Sequence, residues 1–352
     1  MVKVLIVEDS SVIREFLLYV LSSDPDIHVI GTATSGEEAL EILKHKQPDV
    51  ITMDIHMPGM NGFEATRRIM ETHPTPIVIV SGSWSADEVA TTFRAVEAGA
   101  LAVLPRPNGI GHPEHRATSG QLIQTVKLMS EVKVIRRWPR NRGSVAPLLP
   151  EPIAWAPSKV KIVAVGASTG GPIVLQTILS RLPKDFPVPV LIVQHIAAGF
   201  SQGFIDWLTQ SSGIPVRLCT HQESLIAGHA YVAPDGLHMG VTGGGQVVLS
   251  GDDPEHGLRP SVSYLFRSVA RFFGSSAVGV LLTGMGKDGA LELKMMRDKG
   301  AITFAQDEES SVVFGMPGEA VRLDAACYVL TPERIAVALG NVVKNGANQG
   351  GR

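Results

Sequence analysis

Ile162-Val163-Ala164-Val165-Gly166-Ala167-Ser168-Thr169-Gly170-Gly171 is a short apolar run ending in a glycine-rich turn, and Ile173–Leu182 continues it at helical spacing. A strand, a sharp turn and a helix in that order open a β/α unit. The alternation repeats on both sides. Downstream, strands are expected at Val188–Val193, Val216–Leu218, Tyr231–Val232, Val247–Leu249, Val278–Leu282 and Ile302–Phe304, and helices at Gly203–Gln210, Val262–Phe273, Leu291–Lys299 and Glu333–Val343. His238–Gly257, rich in Gly and Asp, reads as a hairpin insertion. Upstream, Val4–Val7, Val29–Ala33, Val50–Met53, Ile77–Val80 and Ala102–Leu104 read as five strands of a parallel sheet. Val12, Ile13, Phe16, Leu17, Val20 and Leu21 recur at helical spacing after the first strand, and a further helix is expected over Ser119–Val134. Ser35 with Glu38, and Ser85 with Glu88, have capping-box spacing at helix starts.

At roughly 150 residues per domain, 352 residues hold about two domains. With 44% apolar and 18% charged residues, the chain is neither a disordered nor a coiled-coil sequence. Composition changes abruptly after Val134: Arg136, Arg137 and Arg140 lead into Pro147, Pro150, Pro152 and Pro157, the composition of a semi-rigid, solvated tether. The expected organisation is therefore one domain over 1–133, a linker over 134–158, a second domain over 159–345 and a polar, disordered tail over 346–352.

Residues 1–107 hold 8 Lys and Arg against 15 Asp and Glu, while the whole chain carries a net charge of −3. That lacks the basic excess which nucleic-acid binding by charge requires. Cys219 and Cys327 are too few for a disulfide framework or a zinc site, so inert core thiols in a reducing compartment are expected. No apolar run approaches 18 residues, so no membrane insertion is expected and the location is read as cytoplasmic.

Glu8 and Asp9 follow the first strand and Asp54 follows the third, which places three carboxylates at the carboxyl edge of a parallel sheet. Such a cluster requires a cation, and all-oxygen ligands suit Mg²⁺. Ser81 and Arg106 end two further strands at the same edge. Together with Met53–Gly62, Ala98-Gly99-Ala100 and Pro105-Arg106-Pro107, these residues make 1–107 resemble a response-regulator receiver domain. The resemblance implies a flavodoxin-like fold and phosphorylation of Asp54 by a histidine kinase. It also implies Mg²⁺ held by Glu8, Asp9, Asp54 and the His56 carbonyl, with Ser81 and Arg106 on the phosphoryl oxygens. Arg106 stands where the family usually has Lys, and Val103 where it usually has a switching aromatic, so the coupling of phosphorylation to output is expected to differ.

In the second domain, Gly166–Gly170 fits G-x-S-x-G, in which glycines expose a hydroxyl on a strand-to-helix turn; a phosphate-binding turn has the same look. His195 follows the Val188–Gln194 run and Asp288 follows the Val278–Leu282 run, so Ser, His and Asp all stand at strand carboxyl ends. Their chain order differs from that of α/β-hydrolases. No histidine spacing fits a zinc site.

With Gly228–Pro234, Arg259–Ser263, Leu282–Gly289 and Gln306–Pro317, residues 159–344 resemble the effector domain of the chemotaxis protein-glutamate methylesterases. This implies a mostly parallel, Rossmann-like α/β domain, doubly wound like the first. By the resemblance Ser168 is the nucleophile, His195 the general base and Asp288 the orienting acid, with the Thr169 and Met285 amides as oxyanion hole and no cofactor for ester hydrolysis. The implied reactions are demethylation of glutamate methyl esters on chemotaxis receptors and deamidation of receptor glutamines. Ser263 stands where Asp is common and is expected to alter docking or the interdomain contact; Lys287 replaces a frequent Asn. The receiver is expected to cover the triad until it is phosphorylated. Two other readings remain open at this point: a non-enzymatic signalling adaptor, and a general serine esterase or amidase on small molecules.

Overall fold

The computed structural model describes residues 1–82, 93–132, 134 and 160–348. The chain divides into two compact units, Met1–Val145 and Ala146–Arg352. The Ser85 cap and, apart from Val134, the expected linker lie outside the described residues, and so does the expected tail from residue 349, whereas residues 346–348, expected to be disordered, continue the last helix.

The first unit is a five-stranded parallel sheet ordered β2-β1-β3-β4-β5, from β1 (Val2–Val7), β2 (Ile27–Ala33), β3 (Val50–Met53), β4 (Ile77–Ser81) and β5 (Ala102–Pro105). α1 (Ser11–Ser22) lies beside α4 (His115–Ser130) on one face, and α2 (Gly36–Leu43) beside α3 (Gly62–Thr72) on the other. The central strands are continuous apolar runs because both faces are covered. Their burial supplies most of the stability of such a unit. Ser35 accepts from the Glu38 amide as a helix cap, a contribution of about 1 kcal/mol. The Glu38 carboxylate reaches back to the Thr34 amide instead of closing the box on Ser35.

α4 begins and ends four residues before the helix expected over Ser119–Val134. Its first turn follows a polar loop and has no side-chain cap, so no sequence signal marks the start. Val134 is not helical but packs on the core of this unit.

The second unit holds a seven-stranded parallel sheet, ordered β14-β13-β12-β6-β7-β9-β8. Its strands are β6 (Ile162–Ala167), β7 (Val190–Gln194), β8 (Val216–Leu218), β9 (Ala230–Val232), β12 (Ala277–Leu281), β13 (Ile302–Gln306) and β14 (Tyr328–Leu330). β10 (His238–Val241) and β11 (Val247–Ser250) form the expected insertion, an antiparallel hairpin. α5 (Gly171–Leu179), α6 (Ser201–Ser212) and α10 (Pro332–Asn348) cover one face; α7 (Val262–Phe272), α8 (Ala290–Asp298), α9 (Met316–Arg322) and the hairpin cover the other. Both units are therefore doubly wound, as the sequence led us to expect.

β7 starts two residues later than expected because Pro189 has no amide to give the ladder; its carbonyl still accepts from Val163. β14 and α9 were not anticipated. Both are too short to show periodicity. Cys219 is buried, and burial pushes its thiol up to about 12, as expected of an inert core residue. Cys327 departs from that expectation: it is half-buried just before the edge strand β14, where it accepts from the Thr303 hydroxyl. Neither forms a disulfide.

Candidate active site

β6 and β12 are adjacent, but the helices that follow them, α5 and α8, lie on opposite faces, so a crevice opens at their carboxyl ends. Ser168 follows β6, Asp288 follows β12, and His195 follows β7 on the other side of β6. Register fixes their relation: Ala167 pairs with Gln194, and the His195 amide donates to the Ala167 carbonyl at 2.9 Å.

The structure joins His195 and Asp288 directly, Nε2 to Oδ2 at 2.9 Å. Asp288 accepts three further hydrogen bonds: Ser261 Oγ at 2.8 Å, the Val262 amide at 2.7 Å and the Ser263 amide at 3.0 Å. Burial alone would raise its carboxyl, but the His195 hydrogen bond and charge, with the Ser263 and Val262 contacts, hold it well below the usual carboxylate range. An ionised acceptor at Nε2 selects the tautomer that leaves His195 Nδ1 free to take a proton. Ser168 is half-buried on the neighbouring turn, and among the described residues no hydrogen bond joins its hydroxyl to the His195 ring.

The Ser168 amide donates to the Thr283 carbonyl at 3.0 Å, and Gln194 Nε2 bridges the carbonyls of Ser168 and His195 at 2.8 Å each. Thr283 Oγ1 donates to the Thr169 carbonyl and accepts from the Val313 amide, both at 2.9 Å. These bonds tie the Ser168 turn to the loop that carries Met285. The approach is close: a Cβ on Gly284 would lie 2.6 Å from Ser168 Cβ and 2.5 Å from Met316 Sδ, so only glycine fits. Among the described residues neither the Thr169 nor the Met285 amide is donated to another protein group.

Gln194, Thr283 and Ser261 were not singled out from sequence. Apart from the Gln194 bond to its neighbour His195, their side-chain partners lie 23 or more residues away, so no local pattern marks them. Ser263 corrects an expectation. It is 1% exposed, with its hydroxyl donating to Glu292 at 2.6 Å and accepting from the Gly289 amide at 3.0 Å, so it lies beneath Asp288 and offers nothing to a docking partner. Lys287 is exposed.

In the first unit the crevice lies between β1 and β3, whose helices also take opposite faces. Glu8, Asp9 and Asp54 each place a carboxylate oxygen within 4.8 Å of the others. Gly62 permits the turn after Asp54, since a Cβ there would fall 2.0 Å from the Asp54 carbonyl. Burial, then the nearby Asp54 charge, raises Glu8 to about 7 against the opposing Arg106; burial raises Asp54 as well. The Arg106 guanidinium sits 3.1 Å from Glu8 Oε2 and 3.0 Å from Asp54 Oδ2. Asp54 Oδ1 has no hydrogen-bond partner. A divalent cation with oxygen ligands fits buried carboxylates left short of positive charge. Ser81 is buried at the end of β4, its carbonyl accepting from the Arg106 amide; His56 is exposed two residues beyond Asp54, and Val103 packs on the core.

A family model described as CheB methylesterase matches residues 163–339, and one described as response regulator receiver domain matches residues 4–113. A protein of Nitrosospira multiformis, named protein-glutamate methylesterase/protein-glutamine glutaminase, is 61% identical over 345 residues, covering 97% of each chain. One of Geobacter metallireducens with the same name, numbered 4, is 59% identical over 341 residues, 96% of this chain and 98% of that one. The crystal structure of the Thermotoga maritima CheB methylesterase catalytic domain aligns with a TM-score of 0.51 at 36% identity, covering 53% of this chain and 100% of that one.

Proposed function

The chain belongs to the CheB methylesterase family and carries a response-regulator receiver domain, and from that premise we propose how its own residues perform and regulate the reaction. It is a chemotaxis protein-glutamate methylesterase and protein-glutamine glutaminase, acting on methyl-accepting receptors from the cytoplasm. Among the described residues no helix is long and apolar enough to cross a membrane.

Ser168 Oγ attacks the carbonyl carbon of a receptor glutamate methyl ester while its proton passes to His195 Nδ1. The tetrahedral oxyanion takes the two free amides, Thr169 and Met285, and Asp288 stabilises the imidazolium through Nε2. Collapse breaks the ester C–O bond, and the His195 proton leaves with methoxide as methanol. Water, losing a proton to His195, then attacks the acyl-serine; glutamate and Ser168 are restored. With a glutamine, ammonia leaves in place of methanol. The observation that carries this reading is the His195 to Asp288 hydrogen bond at the strand end beside Ser168. Ser168→Ala is expected to lower methanol release from methylated receptors by about 10⁴-fold or more; retained turnover would sink the assignment.

In the receiver, Asp54 accepts a phosphoryl group from the chemotaxis histidine kinase, with the P–N bond of the donor breaking as the Asp54 O–P bond forms. Glu8, Asp9, Asp54 and the His56 carbonyl would hold Mg²⁺, which when bound neutralises charge on the transferring phosphoryl oxygens. Ser81 and Arg106 contact those oxygens. Asp54→Asn should take up no phosphoryl group from acetyl phosphate; unchanged uptake would place the site elsewhere.

A further inference from the structure

Ser261 occupies the N-cap of α7, where a serine ordinarily accepts a hydrogen bond from its own helix. It makes no such bond. Its hydroxyl donates instead to Asp288 Oδ1 at 2.8 Å, and the first two amides of α7, Val262 and Ser263, also turn to Asp288. The Asp288 carboxylate thus caps a helix that carries its own unused capping residue. Carboxylates suit helix N-termini, so the exchange costs the helix little and binds the acid tightly.

Ser261 is itself fixed. It is fully buried, and its amide donates to His238 Nδ1 at 3.3 Å. His238, also fully buried, gives its Nε2–H to the Asp253 carbonyl at 3.1 Å and stacks on Tyr264 with centroids 4.7 Å apart. One line of hydrogen bonds therefore runs from the loop after the β10–β11 hairpin through His238, Ser261 and Asp288 to His195.

We propose that Ser261 is a positioning residue for the catalytic base: its hydroxyl anchors Oδ1 of Asp288 so that Oδ2 stays aligned with His195 Nε2–H. The proposal rests on the reading of His195 and Asp288 as base and orienting acid. Oδ1 is held by the Ser261 hydroxyl and the Ser263 amide, and Oδ2 is shared by His195 and the Val262 amide. Without the hydroxyl the carboxylate rotates more freely and its charge is less drawn away from the imidazole. Turnover falls, and imidazolium is favoured, so the acid limb of the kcat profile moves to higher pH.

The other ionisable groups facing this pair are His238, Glu292 through the Ser263 hydroxyl, Arg267 on Glu292 at 3.3 Å, and Lys287 next in the chain. Ser261→Ala alters none of them.

The test measures methanol release from methylated chemoreceptors by the full chain treated with acetyl phosphate, across pH, for Ser261→Ala, Ser268→Ala and Asp288→Asn. Ser268→Ala is the matched control, because it removes a half-buried hydroxyl from the same helix whose hydrogen bonds run to the Leu265 carbonyl and the Val241 amide. Expected for Ser261→Ala is a kcat about tenfold lower, the equivalent of one hydrogen bond to a charged group. KM should stay within about twofold, and the acid limb should shift to higher pH in Ser261→Ala but not in Ser268→Ala. Wild-type kcat and pH profile in Ser261→Ala beside a crippled Asp288→Asn overturns the proposal alone. So does a loss that Ser261→Ala and Ser268→Ala share equally, in step with their melting temperatures and without a pH shift. Full activity in Asp288→Asn would instead remove the triad reading beneath it.

Discussion

The Arg106 guanidinium lies 3.0 Å from Asp54 Oδ2, so the residue proposed for phosphorylation already has a protein cation beside it. Arg106 also reaches Glu8, and it keeps 26% of its side chain in solvent. Arg106→Ala should destabilise the receiver by about 2 kcal/mol, below the roughly 3–5 of a fully buried pair because part of the charge is solvated. Mg²⁺ should then raise the receiver melting transition further in the variant than in the parent, since the ion replaces the lost charge. Equal Mg²⁺ shifts in calorimetry would mean that the two cations do not share the site's charge.

Gly284→Ala should lower turnover by about 10²-fold or more while the chain still folds. The added Cβ meets Ser168 and Met316 at once and forces apart the turns that carry the Thr169 and Met285 amides. The measurement is kcat beside the near-ultraviolet circular dichroism spectrum. Normal kcat in a folded variant would separate the Met285 amide from the reaction.

Asp288 gives a pH signature of stability. Its folded carboxyl is held below the ordinary value of 3.8, so the folded state binds fewer protons than the unfolded chain as pH falls toward and past that value. The stabilisation is complete above the unfolded value and is lost progressively below it. Between pH 5 and pH 3 the catalytic unit should therefore lose more stability than its Asp288→Asn variant, which has no such proton to take up. Parallel melting curves against pH would contradict this.

The fragment 159–352 should release methanol faster than the unphosphorylated full chain, if the receiver restrains the catalytic unit as proposed. The fragment carries its own sheet and core. A fragment no faster than the full chain would exclude restraint by covering.

Much of this was legible in the sequence because both sites stand at strand ends, and strands that are buried on both faces announce themselves as apolar runs. Ser168 and His195 each follow such a run directly, and so do Glu8 and Asp54, while Asp288 lies in the loop after β12. What stayed hidden depends on contacts across the fold. Ser261 and Asp288 are 27 residues apart, and a serine before a helix reads locally as an ordinary cap. Ser263 was misjudged for the same reason: nothing nearby shows that Glu292, on another helix, accepts its hydroxyl. The misplaced bounds of α4 and β7 come from an uncapped first turn and from Pro189, two local exceptions to periodic patterning.

The unequal burial of the two cysteines has a practical consequence. With Cys219 enclosed and its thiol raised to about 12, and Cys327 half-open at the sheet edge, a maleimide fluorophore at neutral pH should attach at one place in the native chain. That place immediately precedes β14, at the opposite margin of the sheet from β8 and several strands from His195. The unaltered protein thus offers a single optical label on its catalytic unit, from which rearrangement after acetyl phosphate treatment can be followed without engineering a new thiol.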